Sequence, residues 1–364
     1  MKFYRLKKIL SKKAQYNMIF GERSNGKTYA VLEYAIDRYA KYHEQTAIIR
    51  RWQDDLKGKR GASLFVGHIE TGAVERLTNG AWNSVYYYSG RWWLQFKDPD
   101  DPKNVIRDED PFAFGFSISS MEHDKSSSFP NITTVLFDEF LTRRAYLPDE
   151  FVLFMNCLST IIRHRSNVKI FMCGNTVNQY CPYFSEMGLT HVKQMKPGDI
   201  DLYTYGSSDL RVAVEYCATA AGQGGKASDT YFAFDNPKLQ MIKTGVWELD
   251  IYPHCPIKYM PLNIDFTFFI LFNDEMLQCE CVNVEESTFI YIHRKTSELK
   301  DPDGDLIYSP DYDPRPNWRR SILRPVTKIE KKIHALFSND KIFYQDNEVG
   351  DLVRNYIIWC GSKK

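Results

Sequence analysis

Eight consecutive residues constrain this chain more than any others: Gly21-Glu22-Arg23-Ser24-Asn25-Gly26-Lys27-Thr28. An apolar run, Tyr16 to Phe20, leads in, and Tyr29 to Tyr42 lead out with helical periodicity. A GxxxxGK[ST] loop between a strand and a helix is a phosphate-binding loop. Gly21 and Gly26 let the backbone curl so that its N–H groups point at phosphate oxygens. The helix that follows brings the positive end of its dipole to the same anion. Lys27 is suited to the β- and γ-phosphates, and the Thr28 hydroxyl to Mg²⁺. A chance Gly/Lys turn is the alternative, and the strand, the helix and a partner segment downstream argue against it.

The partner segment is Thr133-Thr134-Val135-Leu136-Phe137-Asp138-Glu139-Phe140. Its β-branched and aromatic run reads as a buried parallel strand ending in two carboxylates. Ligands of an open α/β sheet sit beyond the carboxyl ends of its strands, so both acids are expected to face the phosphate loop. Asp138 suits Mg²⁺, directly or through water, and Glu139 suits the water that attacks a γ-phosphate. A water-polarising Glu argues for hydrolysis. The chain carries no Asn-Lys-x-Asp guanine-reading motif, which favours ATP over GTP.

With 364 residues the chain is long enough for two domains. A net charge of +1 excludes a generally basic coat for nucleic acid but leaves room for a local basic patch. The eight cysteines form no CxxC or Cys/His zinc spacing, and reduced, buried thiols are the expectation. Cys279 and Cys281 read as same-face residues of one strand. The basic start of the chain lacks the apolar core of a signal peptide. The longest apolar run, Phe266 to Phe272, is too short to span a membrane.

Thr46 to Trp52 reads as a second strand, ending in Arg50 and Arg51. Tyr86 to Trp93 reads as a hairpin turning at Ser89-Gly90. Phe112 to Ile118 reads as a strand, with Lys125 in the polar segment after it. Pro148-Asp149 opens a helix with Phe151, Phe154, Met155, Leu158, Ile161 and Ile162 on one face. Val168 to Cys173 is the next buried strand. Asn175 at its tip is placed to sense a γ-phosphate, the alternative being a strand-terminating turn residue. Gly222 to Ser228 is the clearest linker signal, so the expected division is an ATPase domain at 1–198, a linker at 199–228 and a second domain at 229–364. In that second domain Phe266 to Phe272, Leu277 to Val284 and Thr288 to His293 read as an antiparallel meander, followed by helices over Lys328 to Phe337 and Val349 to Trp359.

With these pieces in place, the chain resembles the DNA-packaging motor ATPases of small tailed phages, the phi-twenty-nine-like group. The resemblance rests on Asn17-Met18-Ile19-Phe20, Phe129-Pro130-Asn131, Ile162-Arg163-His164-Arg165, Cys173-Gly174-Asn175 and Pro182-Tyr183-Phe184. It runs from about Lys13 to Phe184 and thins afterwards. It implies an α/β P-loop NTPase of the additional-strand, catalytic-Glu type, with a smaller α+β carboxy-terminal domain similar to a degenerate RNase H-like nuclease. It also implies a homomeric ring at the capsid portal in the host cytoplasm, driven by ATP, pulling double-stranded DNA inward and contacting a structural packaging RNA. Within that frame Arg163 is the expected trans-acting arginine, Arg165 a possible substitute and Lys125 a second trans-acting cation. The other reading of Arg163 and Arg165 is contact with the negative end of their own helix. Arg50 is expected to end the strand next to the phosphate-loop strand, within reach of Glu139, as a switch or merely as a strand cap.

Two other function classes remain open at this point: a nucleotide-gated assembly scaffold, and a terminase that also cuts DNA. Cutting by RNase H chemistry needs two or three converging carboxylates. Asp265, Glu280, Glu285, Asp346 and Asp351 are the candidates, and surface acids are the preferred reading. Arg315, Trp318, Arg319, Arg320 and Arg324 combine guanidinium groups with an indole, which suits phosphate contact and base stacking. A solvated basic face is the alternative.

Overall fold

Each apolar run forms a strand, and alternation along it decides which side of the sheet each residue fills. The computed structural model describes residues 4–101, 103–120, 128–142, 146–176, 180–206, 208–217, 251–255 and 257–362. The chain divides into two compact units, Met1–Trp247 and Glu248–Lys364.

Ten strands among the described residues make the sheet of the first unit. They are β1 (Tyr16–Gly21), β2 (Gln45–Arg50), β3 (Ser84–Tyr88), β4 (Arg91–Lys97), β5 (Val105–Arg107), β6 (Ala113–Ser117), β7 (Ile132–Asp138), β8 (Lys169–Asn175), β9 (Ile200–Thr204) and β10 (Arg211–Tyr216). Their order is β3-β4-β6-β2-β7-β8-β1-β10-β9, with β5 paired to β4. The central strands β6, β2, β7, β8, β1 and β10 run parallel, flanked by antiparallel β4 and β9. β8 thus lies between the phosphate-loop strand β1 and the acidic strand β7, and β2, expected beside β1, pairs with β7 instead, so that Arg50 ends the strand next to the acids.

Both faces of this sheet are covered, which is why its central strands read as unbroken apolar runs. On one face Met18, Phe20, Ile49, Val135 and Phe137 pack with Phe154, Cys157, Leu158 and Ile161 of the helix Glu150–Ile162. On the other, Ile19, Ile48, Leu136 and Phe171 pack with Ala30, Val31, Leu32 and Ile36 of the helix Lys27–Tyr42. At the Ser89-Gly90 turn of the β3–β4 hairpin both residues have positive φ, 47° and 75°, the pattern of a type I′ turn.

The boundary differs from the one expected. Residues assigned above to a linker form β9 and β10, and β10 pairs in parallel with β1, Met18 opposite Val214. Val212, Ala213 and Val214 are fully buried there. Three apolar residues are too short a run to stand out in the sequence, yet β1 needs them as a neighbour. Gly222 to Ser228 lies outside the described residues.

The second unit is built on β11 (Ile264–Phe272), β12 (Glu275–Val284), β13 (Ser287–Arg294), β14 (Ile307–Tyr308), β15 (Trp318–Arg319) and β16 (Ile342–Tyr344), in the order β15-β14-β11-β12-β13-β16. The first three form the antiparallel meander. β14 joins β11 in parallel, β15 joins β14 in parallel, and β16 joins β13 in parallel. Leu277, Cys279 and Cys281 are buried at alternate positions of β12, as the period of a strand requires. The helix Lys328–Ser338 starts at Thr327, whose hydroxyl accepts from the Glu330 N–H in a capping box. The helix Asn347–Ser362 follows. All eight cysteines are free and seven are buried. No helix among the described residues is long and apolar enough to cross a membrane.

Candidate active site

The phosphate loop leaves β1 at Gly21 and enters its helix at Lys27. Gly21 has φ 148°, and a Cβ there would stand 3.0 Å from that of Cys217, so the loop can leave the sheet here only without a side chain. Gly26 has φ 89° and, as the N-cap, carries no side chain; the Lys27 N–H leans on Asn25 Oδ1 at 3.3 Å, and the helix N-terminus is of the kind that takes an anion.

Lys27 is almost fully buried. Its Nζ lies 2.6 Å from the Glu22 carbonyl, 3.3 Å from that of Gly21, 3.1 Å from Asn25 Oδ1 and 3.3 Å from Asn175 Oδ1. Burial holds its pKa below the usual lysine value, against the opposing pull of neighbours that include Asp138 and Glu22. Its acceptors are neutral carbonyl and amide oxygens, weaker partners for an ammonium than a phosphate oxygen. Asn175, at the end of β8, is brought to Lys27 by the register of β1 and β8, which sets it opposite Gly21.

The acids of β7 meet this loop. Thr28 Oγ1 donates to Asp138 Oδ1 at 2.7 Å. A hydroxyl and a carboxylate oxygen so close are hard ligands of the kind Mg²⁺ takes alongside phosphate oxygens. Arg50, at the end of β2, reaches both acids: Nη2 is 2.6 Å from Asp138 Oδ2 and Nη1 3.1 Å from Glu139 Oε2. Asp138 is buried, whereas the Glu139 side chain is 67% exposed. The Glu139 backbone is left-handed, φ 61°, uncommon for a residue with a side chain.

Other expectations fare differently. Arg163 ends the helix Glu150–Ile162 with φ 54° and ψ −127°, a conformation suited to glycine. Arg165 is not placed to stand in for it. Its guanidinium donates to the carbonyls of Phe129, Pro130, Ile132, Ile161 and Ile162, which ties the helix end to the turn before β7. Lys125 lies outside the described residues. Of the basic segment, Arg315 is paired with Asp313 and Asp303, and Arg319 with the buried Glu330. Arg315 stacks over Trp318 at 4.9 Å and Arg320 over Trp359 at 5.4 Å. Much of that charge is therefore engaged within the fold. Arg324 is exposed.

Of the five candidate acids of the second unit, Asp265, Glu280, Asp346 and Asp351 are engaged by neighbouring side chains, and Glu285 follows the end of β12 with a positive φ of 53°. Asp265 pairs with Lys332 at 2.7 Å, Asp346 with Arg294 at 2.8 Å, and Asp351 accepts from Tyr252 at 3.0 Å. Glu280 accepts from Tyr259 at 2.6 Å and meets His293 at 3.4 Å. Among the described residues no three His, Cys, Asp or Glu side chains converge as a metal site would. Arg51, which the sequence marks only as a strand end, is buried and donates to the carbonyls of Glu139 and Phe140.

Comparison with known proteins follows these residues. A family model described as the podovirus DNA encapsidation protein (Gp16) matches residues 1–67 and 105–196, which hold the phosphate loop, both acids, Arg50 and Arg163. The DNA packaging protein of Bacillus phage phi29 is 27% identical over 190 residues, 50% of this chain and 49% of that protein. The chain spans about half the length of the curated relatives it matches. The solved structure of the Phi-28 gp11 DNA packaging motor has a TM-score of 0.55 at 14% identity over 98% of each chain. That of the bacteriophage Phi-29 viral genome packaging motor assembly has a TM-score of 0.55 at 18% identity, over 97% of this chain and 96% of its own. The fold is shared over the whole chain, and in its amino-terminal half residues 1–67 and 105–196 are similar to the podovirus DNA encapsidation protein.

Proposed function

We propose that the chain is an ATP-driven motor that moves double-stranded viral DNA into a preformed capsid, working as a homomeric ring at the portal. The observation that carries this reading is the meeting of Lys27, Thr28, Asp138 and Glu139 at one edge of the sheet, with Arg50 holding the Glu139 carboxylate. A protein that only bound nucleotide would have no use for a restrained water-polarising acid. Lys27 turns from the loop carbonyls to the β- and γ-phosphates, and the helix N-terminus takes the remaining charge. Thr28 and Asp138 hold Mg²⁺, which when bound neutralises phosphate charge. Glu139, released from Arg50, orients and deprotonates the attacking water. Asn175 reports the γ-phosphate to β8 through its contact with Lys27.

Arg163 supplies positive charge to a neighbouring subunit's site, a role worth roughly 10³–10⁵ in rate where it occurs. Its unfavourable backbone supports this, because strain is retained where a side chain is needed in one place. Lys125 is the second candidate. The carboxy-terminal unit is RNase H-like, a reading supported by a meander whose first strand is extended sideways by two parallel strands. With four of its five candidate acids engaged by Lys332, Arg294, Tyr252, Tyr259 and His293, that unit positions or contacts nucleic acid rather than cutting it. Arg320, Arg324 and the Trp318 region are its candidate contacts, and a structural packaging RNA is a candidate partner beside DNA. The site of action is the procapsid portal in the host cytoplasm. ATP hydrolysis with and without double-stranded DNA, beside protection of that DNA from nuclease by procapsids, tests the reading. Hydrolysis indifferent to DNA would favour the assembly scaffold, and plasmid cleavage in Mn²⁺ the terminase.

A further inference from the structure

Arg51 is the neighbour of the switch arginine, yet it points the other way, into the core. Its side chain is 7% exposed and that of Glu150 is 0% exposed. Nε donates to Glu150 Oε2 at 2.8 Å and Nη2 to Glu150 Oε1 at 2.9 Å, a two-pronged pair. Two further donors go to backbone: Nη1 to the Glu139 carbonyl at 3.2 Å and Nη2 to the Phe140 carbonyl at 2.8 Å. Glu150 is saturated in turn, accepting also from the Tyr183 hydroxyl and the Leu147 N–H, at 2.8 and 2.7 Å. Burial opposes charge on Arg51, but the hydrogen bond and charge of Glu150 outweigh it, and its pKa is raised. The guanidinium also lies over the Tyr146 ring at 5.1 Å.

A buried ion pair of this kind is poor evidence for stability, since apolar side chains of the same size often do as well. What apolar side chains cannot do is bind two consecutive carbonyls. Those carbonyls belong to Glu139, whose φ of 61° puts it in the left-handed region, and to the residue after it. Left to itself this backbone would relax, and the Glu139 carboxylate would swing with it. Misplacement of such a group by about 1 Å can cost ~10²-fold in rate.

We infer that Arg51, locked by Glu150 and Tyr183, is the positioning residue for Glu139: it fixes the backbone from which the water-polarising carboxylate projects. The inference rests on the reading of Glu139 given under Proposed function. Lys27, Thr28 and the Asp138 carboxylate have their hydrogen bonds elsewhere, with the loop, Asn175 and one another, so nucleotide binding and hydrolysis should separate when the network is loosened.

The test uses the full chain and compares Tyr183→Phe, Glu150→Gln and Arg51→Lys with wild type. Three quantities are measured for each: affinity for a fluorescent ATP analogue, single-turnover hydrolysis rate, and melting temperature. Tyr183→Phe removes one hydroxyl and keeps the ring, so it guards against simple unfolding of the harsher variants. The expected result is hydrolysis slowed several-fold in Tyr183→Phe and at least about tenfold in Glu150→Gln, with nucleotide affinity within about twofold of wild type. In a Glu139→Gln background, Glu150→Gln should cost nothing further. Wild-type rates in both Tyr183→Phe and Glu150→Gln would overturn the inference. So would rate, affinity and melting temperature falling together, the mark of a merely structural network. Absence of hydrolysis in the wild-type chain would instead overturn the reading of Glu139 itself.

Discussion

Arg50 holds Glu139 by a contact of 3.1 Å at a carboxylate that is 67% exposed. Pairs this exposed contribute only about 0–1 kcal/mol, so the acid can be released at little cost. The same guanidinium keeps a shorter, buried contact to Asp138, 2.6 Å, and so need not leave the site when Glu139 does. Arg50→Ala is expected to raise basal ATP hydrolysis and to bring the ratio of rates with and without DNA close to one. Steady-state rates at saturating ATP check this. An unchanged ratio would leave Arg50 a strand-capping residue.

Lys27→Ala should abolish hydrolysis and weaken nucleotide binding together, because its buried ammonium sits against the loop carbonyls of Gly21 and Glu22. Asn175→Ala should leave binding largely intact, since Lys27 and the helix N-terminus still meet the phosphates, and should slow turnover about tenfold or more. Equilibrium binding beside turnover separates the two. Equal loss of binding in both variants would remove Asn175 from γ-phosphate sensing.

Arg163 has a backbone that glycine would adopt more readily. Arg163→Gly is therefore expected to be more stable than Arg163→Ala by about 1 kcal/mol, the scale of strain at such positions. Both should be inactive alone. Mixed with Glu139→Gln subunits, either should recover some ATPase activity, because a mixed interface joins an intact Glu139 to an intact Arg163. Failure to recover in rings shown to be mixed would leave Arg163 a structural residue.

The pair Glu280 and His293 predicts a pH window for the carboxy-terminal unit. The hydrogen bond to Glu280 raises the His293 pKa above its ordinary 6.5, so its contribution is complete below 6.5 and fades as pH rises through the higher folded value. The hydrogen bond from His293, with those from Tyr259 and Gln278, lowers the Glu280 pKa below its ordinary 4.5. That contribution is complete above 4.5 and fades as pH falls through the lower folded value. Both therefore act together between 4.5 and 6.5. The difference in melting temperature between wild type and His293→Gln should be largest inside that window and shrink on either side. A difference independent of pH would contradict it.

Signals carried by adjacent residues were readable from sequence. The phosphate loop, the Val135–Asp138 run, the Ser89-Gly90 hairpin, the helix after Asp149 and the meander at 264–294 all lie where local pattern puts them. Elements defined by distant partners were not. β10 is stabilised by β1, almost two hundred residues earlier, and β9 is a half-exposed edge without an apolar run. β14, β15 and β16 are two or three residues long and exist only as ladders on longer neighbours. Arg51 looked like half of a polar strand end, because its partner Glu150 is 99 residues away. An arginine directly after a buried strand was the one available hint, since burial there demands an acid. Arg165 failed as a substitute for Arg163 for a similar reason: its partners are backbone carbonyls, which no sequence pattern marks.

The central claim is that Glu139 polarises the water that cleaves ATP while DNA is moved. Its most direct test is Mg²⁺-dependent ATP hydrolysis by wild type and Glu139→Gln side by side, with and without double-stranded DNA, and with nucleotide affinity measured on the same preparations. The account predicts DNA-stimulated hydrolysis by wild type and ATP binding by both. It predicts turnover at least ~10²-fold lower in Glu139→Gln, the usual scale for loss of a general base. Wild-type turnover in Glu139→Gln, or no hydrolysis by the wild-type chain with DNA present, would contradict it.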